Sequence, residues 1–418
     1  MLAQGSPANN PEGNPVFRSA PHQVLLTALL TLAPIQALSA EPVLSPLQRT
    51  QMAELREKAK VDWRQSQSHQ GDASYGPIFL VLALHDPDPK AVNRWLIMAD
   101  EVYSPRPEAT PNRRLEQIGN DFRAVALWAS RHKDDNIRNT STRMLSSCLG
   151  NPDPQAQQRA IECALRDTNP AVRYGAIHAF WFPVNFQPVV DGAVADCLLQ
   201  CLQERHSFPL TAALELCRRT YRKKRKFPTA LEPRLDTQLR QLLSHPEPVI
   251  SGHAILALSL LKQAREEDAR WLYPLLQHRH PFVRGCALDA LAEFANPRSL
   301  QRMIPLLDDL EMPMVECPVP DTGTGIQTSI PYTPNNHHYS IQEFALRAIQ
   351  QASSKTSTPF VFEATPSRAG KKPGKVKTVT LQVGRPGLDP ARLASLAAQA
   401  REAKQWWSTN IRSLGPQD

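Results

Sequence analysis

Apolar residues along this chain recur at the three-and-four spacing of helices, and the sets repeat. Between Asn169 and Phe180 the pattern is clearest. Pro170 suits the first turn of a helix, where its missing N–H costs nothing, and Asn169 before it is placed to cap the free amides. Val172, Ala176, Ala179 and Phe180 then fall at i, i+4, i+7 and i+8, one face of a helix. Ile137 and Arg138 stand 35 residues before Val172 and Arg173, Leu210 follows Val172 by 38, Val249 follows by a further 39 and Val283 by a further 34. Partner helices are predicted between these markers, at Gln155–Leu165, Val189–Gln203, Arg234–Leu243 and Ala269–Leu276. Neither helix of such a pair can bury its face without neighbours, so consecutive units must stack into one continuous core. The predicted fold is all-α, an α-solenoid of stacked helical hairpins over residues 77–352.

The flanks of the array read differently. Leu44–Gln67 predicts a polar capping helix with a thin apolar edge at Leu47, Leu55 and Trp63, and with the linker behind it this segment occupies residues 41–76. Pro77–Leu84 is an apolar helix, and Pro89 opens another carrying Ala91, Val92, Trp95, Leu96 and Met98. After residue 352 the composition leaves the solenoid pattern. Phe360–Val383 reads either as a short β-hairpin or as a flexible basic linker. A closing helix follows, beyond Pro390, with Leu393, Leu396 and Ala397 expected inward. Trp406 and Trp407 at its end are expected to dock on the solenoid.

The residues Pro170, Val172, Arg173, Ala176 and Ala179 in one unit, and Pro281, Val283, Arg284, Ala287 and Ala290 in another, resemble HEAT repeats. The likeness is in particular to the bacterial HEAT-like repeats related to those of phycobilisome lyases. The resemblance implies an aspartate–arginine pair between repeats, matched here by Asp167 and Arg173. His278 replaces that aspartate in a later unit and Ile250 replaces the arginine in another. The resemblance specifies architecture over residues 80 to 350 and leaves function open, since such solenoids serve many functions.

Composition fits a globular chain, with 41% hydrophobic and 21% charged residues. The 38 prolines are about twice the usual share, which suits many short helices. Val24–Ile35 is too short to span a bilayer but has the length of a signal-peptide core, with Arg18 before it and small residues at Ala37, Ser39 and Ala40. Residues 1–40 are therefore read as a signal peptide and the protein as exported, periplasmic or extracellular, with a cytoplasmic or nuclear location as the alternative. No other stretch approaches membrane-span length. Seven cysteines are an odd, sparse set that implies no disulfide scaffold, and they are read as buried thiols.

Function is expected where the repeat fails. Met312–Ser340 interrupts the array, because Val283 to Ile341 is 58 residues, more than one repeat. With neither helical nor strand periodicity, it is read as a binding loop offering Glu316, Asp321, Tyr332, His337 and His338. The histidines match no metal spacing, and no metal or cofactor fingerprint, nucleophile elbow or phosphate loop is found. The second feature is the basic run Arg218, Arg219, Arg222, Lys223, Lys224, Arg225 and Lys226, a docking strip for an acidic protein or an anionic surface or polymer. The leading reading is a non-catalytic scaffold that binds another protein. The alternatives are a HEAT-like lyase or enzyme accessory holding a small molecule in its groove, and binding of anionic polymers through the basic segments Arg218–Lys226 and Lys371–Lys377.

Overall fold

A computed structural model describes residues 56–57, 76–103, 120–148, 153–181, 189–261, 266–294, 299–313, 315–318, 329–332, 340–354, 359–361 and 390–410. The helices come in pairs. In chain order they are α1 (Gly76–His85), α2 (Pro89–Tyr103), α3 (Asn120–Ala129), α4 (Asp135–Cys148), α5 (Pro154–Arg166), α6 (Pro170–Ala179), α7 (Gly192–Cys201) and α8 (Ser207–Arg222). Then follow α9 (Glu232–Leu242), α10 (Pro248–Leu261), 3-10 turns at Glu266–Leu272 and Pro274–Gln277, and α11 (Pro281–Phe294). The short α12 (Leu300–Met303) runs into a 3-10 turn at Ile304–Asp308, before α13 (Ile341–Ser353) and α14 (Pro390–Asn410).

Local chemistry sets the helix starts. Asp153 accepts from the amides of Gln155 and Ala156, Asn169 from Ala171, and Asp191 from Ala193 and Val194. Ser340 and Glu343 form a reciprocal capping box at α13. Proline opens α2, α5, α6, α10, α11 and α14, where it loses no hydrogen bond.

The second helices of successive units, α2, α4, α6, α8, α10, α11 and α13, pack side by side in an unbroken series. The first helices form a looser layer behind them, and in a curved stack the closer-packed layer is the inner one. One apolar core runs from Phe79 to Leu258 and a second from Ile255 to Ala403, and they meet within α10. The predicted face of α6 is buried as expected, with Val172, Ala176, Ala179 and Phe180 all inside. Two glycines mark the closest helix crossings. A Cβ on Gly175 would meet Thr142 Oγ1 of α4 at 2.3 Å, and one on Gly252 would meet Phe282 of α11 at 2.4 Å.

Arginines join the units, in a register one step away from that expected. Arg138 Nε and Nη2 donate to Asp167 at 2.8 and 3.0 Å, while its Nη1 donates to the carbonyls of His132 and Lys133. Arg173 repeats the arrangement, giving Nη1 to the carbonyl of Asp167 and Nε to the carboxylate of Glu204 at 2.7 Å. Arg284 does so again with His278, Asp309 and Glu311. The carboxylate of Asp167 thus pairs with Arg138 rather than Arg173. Each guanidinium closes its own interhelix turn through backbone carbonyls and reaches forward to the acid of the next unit. His278 substitutes for the aspartate without loss, because Arg284 there needs only its carbonyl.

The interruption at 312–340 does contain strand. β1 (Val315–Pro318) pairs antiparallel with β2 (Ser329–Tyr332), Val315 opposite Tyr332 and Pro318 opposite Ser329. The strands are too short for a legible period of two. Both are edge strands, which tolerate Pro318 and Pro331. At the C-terminus α14 lies on α13 and the 304–308 turn. It buries Leu396, Ala400 and Ala403, whereas Ala397 faces out and Leu393 is half-buried. The seam follows the 396–400–403 spacing. Trp406 and Trp407 pack on the second core, with the Trp406 ring 6.0 Å from Phe360. The signal-peptide segment, most of the 41–76 cap and the Phe360–Val383 hairpin beyond Val361 lie outside the described residues. No described helix is long and apolar enough to cross a membrane.

Candidate functional site

The basic run does not form one strip. It spans the last turns of α8 and the turn after it. Lys224 takes a left-handed conformation at φ 55°, and the amide of Arg225 reaches back to the carbonyl of Thr220 at 3.0 Å, closing the helix in a Schellman turn. Helix geometry then sorts the cations. Arg218 is buried, and Arg219 sits over the Trp181 ring with 3.7 Å from its guanidinium carbon to the ring centroid. Arg225 is half-buried, and Arg222, Lys223, Lys224 and Lys226 face solvent. The carbonyl of Lys226 accepts from the amide of Val190 at 3.0 Å, tying the turn to the start of the preceding unit. Four exposed cations therefore sit on one turn, and the remaining three belong to packed surfaces.

The inner layer gathers charged groups that the sequence reading passed over. Arg218 of α8 has Glu215 one turn back at 3.8 Å, and its charge also bears on His253 of α10 and on Asp289 of α11. Burial, reinforced by Arg218, pushes His253 down to about 3, so it is neutral. Asp289 moves the other way. Burial and the Glu293 carboxylate one turn on raise it to about 6, against the opposing charges of Arg347, Arg218 and Arg222. Charges of both signs on α8, α11 and α13 thus lie around the neutral His253 of α10.

One unit earlier, the face of α6 turned toward α8 is aromatic. Tyr174 and His178 have ring centroids 4.3 Å apart, and His178 and Trp181 are 4.2 Å apart. Phe208 closes the row edge-on to Tyr174 at 5.6 Å. Burial, with the Arg219 charge nearby, lowers His178 to about 4, which keeps the imidazole neutral in the row. The i, i+4, i+7 spacing of Tyr174, His178 and Trp181 was the sequence signal for this face.

The remaining candidates do not converge with these groups. Glu316 and Tyr332 lie in the strand pair, Glu316 opposite Pro331 and Tyr332 opposite Val315, and β1 runs beside α10. Asp321, His337 and His338 lie outside the described residues. Cys148, Cys163, Cys197, Cys201, Cys217 and Cys286 are all buried free thiols, as read from the sequence. Burial pushes Cys148 and Cys217 up to about 12, which leaves them protonated and unreactive. Among the described residues no group of histidine, cysteine and carboxylate side chains has the arrangement of a metal site.

These features define a class, the α-solenoid of stacked helical hairpins with an inner surface carrying mixed charge and aromatic rings. Residues 236–314 match the family model of HEAT repeats. No curated protein matches the chain. Among solved structures, the karyopherin Kap121p bound to the extreme C-terminus of the protein phosphatase Cdc14p is similar at 12% identity and a TM-score of 0.49, over 75% of this chain and 33% of that one. Kap121p bound to the SUMO protease Ulp1p gives 13%, 0.47, 79% and 33%, and Kap121p bound to Nup53p gives 13%, 0.47, 75% and 33%. The chain spans about a third of the length of the solved chains it matches.

Proposed function

We propose that the protein is a non-catalytic scaffold whose inner helix layer holds another protein. One observation carries the reading: the second helices pack in an unbroken series from α2 to α13, and from α6 to α13 that layer carries aromatic rings and charges of both signs. Such a layer offers many weak contacts across several units and suits an extended partner. A small-molecule reaction has less support, because the buried cysteines sit in the core as protonated thiols rather than at the inner surface.

The test is site-specific photo-crosslinking in the source cells. A photoreactive residue replacing the exposed Glu293 on α11 is expected to capture a protein, whereas one replacing the exposed Gln158 on α5, in the outer layer, is not. Equal capture from both faces, or from neither, refutes the scaffold reading. We read residues 1–40 as an export signal, on the apolar Val24–Ile35 core and the small residues that follow. N-terminal sequencing of the mature product showing Met1 retained overturns that assignment.

A further inference from the structure

We infer that the shelf between α6 and α8, built on the stacked pair Arg219 and Trp181, binds a carboxylate side chain of an acidic segment in the partner protein. This deepens the scaffold reading and rests on it. Arg219 is held by the indole ring. With the guanidinium carbon 3.7 Å from the ring centroid, the cation–π contact places the cation and leaves its N–H donors to other partners. Among the described residues those donors meet no carboxylate or carbonyl within hydrogen-bond reach. The ladder arginines differ: Arg138, Arg173 and Arg284 all spend their donors on carboxylates and backbone carbonyls of the stack.

Beneath Arg219 the shelf has further unmet polar capacity. Among the described residues Trp181 Nε1 and His178 Nε2 are both buried and have no hydrogen-bond partner. A buried donor left unpaired costs free energy, which an incoming acceptor oxygen offsets. His178 does not compete as a cation, since burial and Arg219 keep it neutral. Lys223 stands one turn beyond Arg219, at i+4 on the same side of α8, and is exposed. A pre-oriented planar guanidinium with an ammonium one turn away matches a carboxylate in a short acidic stretch, because planar forks favour planar anions.

Charge along the layer selects a peptide over a long polyanion. Past α10 the layer carries Asp289 and the exposed Glu293 among Arg347, Arg218 and Arg222, so the charge changes sign along it instead of continuing positive from Arg219 as a uniform polyanion would need. A protein segment can follow an acidic stretch with a neutral or basic one.

The test uses the full chain and a fluorescein-labelled peptide of alternating glutamate and glycine, read by fluorescence anisotropy at low salt. Binding is expected, weakened roughly tenfold or more by Arg219→Ala, as for loss of a charge-assisted hydrogen bond. Lys223→Ala should weaken it less, and Glu293→Gln should leave it unchanged. Should Arg219→Ala fail to fold by circular dichroism, Arg219→Lys serves, since it keeps the charge, loses the planar fork and is expected to bind several-fold more weakly. The inference is overturned by absent binding or by affinity indifferent to Arg219. It is equally overturned by a single-stranded oligonucleotide binding more tightly than the peptide with the same dependence on Arg219. If crosslinking at Glu293 still captures a protein while the peptide does not bind, this inference fails and the scaffold reading stands. If Arg219 governs peptide binding but the crosslink captures nothing, the reverse holds.

Discussion

Gly252→Ala is the sharpest test of how the units are joined. Gly252 lies in α10 where that helix crosses α11. A methyl group there would sit 2.4 and 2.8 Å from Phe282 Cε1 and Cδ1 and 2.9 Å from Cys286 Sγ. Ordinary carbon contacts are about 3.5–4.0 Å, so the ring must move by about 1 Å. Phe282 and Cys286 are both fully buried, and neither can swing into solvent. Overpacking of this kind costs about 1–3 kcal/mol, and the severity of the overlap places it near the top of that range. Against it stands a gain of about 1 kcal/mol from replacing glycine by alanine within a helix. The net expectation is a loss of about 2 kcal/mol. Because stability in a stacked array is distributed and cooperativity can break, urea unfolding should be read together with amide exchange in α10 and α11. Both should lose protection while α4 to α6 keep theirs. Gly192→Ala, whose Cβ meets nothing within 4 Å, is the control and should be neutral or slightly stabilising. Adding Phe282→Leu should partly rescue Gly252→Ala, giving a favourable coupling of about 1 kcal/mol. A Gly252→Ala protein as stable as the parent refutes the close α10–α11 crossing.

Three further outcomes follow from the same geometry. Arg138→Ala removes the bidentate contact to Asp167 and two carbonyl contacts, and should cost about 2–3 kcal/mol in chemical unfolding. Lys224→Gly should stabilise by about 1 kcal/mol, because glycine adopts the left-handed Schellman position without the Cβ penalty, and a lowered melting temperature would argue against that turn. The acid limb should be dominated by histidine. His253 and His178 have folded values of about 3 and 4 against 6.5 unfolded, so the unfolded chain takes up their protons first and stability falls as pH drops below 6.5. Asp289 opposes this, since its raised value means stability is lost as pH climbs from 3.8 to about 6. Melting curves across pH should therefore show a weaker acid slope for His253→Asn and a steeper one for Asp289→Asn.

The repeat was legible because helix faces and proline starts are local properties, and the spacing of Val172, Val249 and Val283 carries over whole units. The partner of each ladder arginine was not. Asp167 and Arg173 are near in sequence, but stacking sets the turn of one unit against the arginine of the previous one, so Asp167 receives Arg138. The inner charges left a fainter trace. Arg218 to His253 is 35 residues and His253 to Asp289 is 36, both within the repeat spacing, and Asp289 to Arg347 is 58, the same as Val283 to Ile341. Read as isolated residues they had no pattern, and within their units only Asp289 and Arg347 hold the same position, six residues after Val283 and Ile341. The basic run misled in the opposite way. Seven cations close in sequence suggested one surface, but a helix turns 100° per residue, which sends Arg219 to the aromatic stack and away from Arg218 and Arg222; those two share a face, where Arg218 is buried in the seam and Arg222, at the helix end, reaches solvent.

The ladder and the inner charges are complementary along the stack. Forward arginines join α4, α6 and α11 to the units that follow, through Asp167, Glu204 and Asp309. In α8 and α10 the equivalent positions are Thr211 and Ile250, and no arginine is available. Thr211 turns back on its own helix, giving its hydroxyl to the carbonyl of Ser207 at 2.7 Å, and Ile250 is wholly buried. Those two units are joined instead by the Ser207 to Glu247 hydrogen bond at 2.6 Å and by the tight apolar crossing at Gly252. Apolar contact constrains the interhelix turns less through charge and more through shape, which frees arginine for use elsewhere. The same helix that lacks the ladder arginine carries Arg218, Arg219 and Arg222 near its far end, on the side of the inner layer. The units where regular pairing stops thus carry their arginines at the other end of the helix, with Arg218 in the packed seam, Arg219 on the Trp181 ring and only Arg222 fully exposed, and a partner bound there would meet the least regular part of the array.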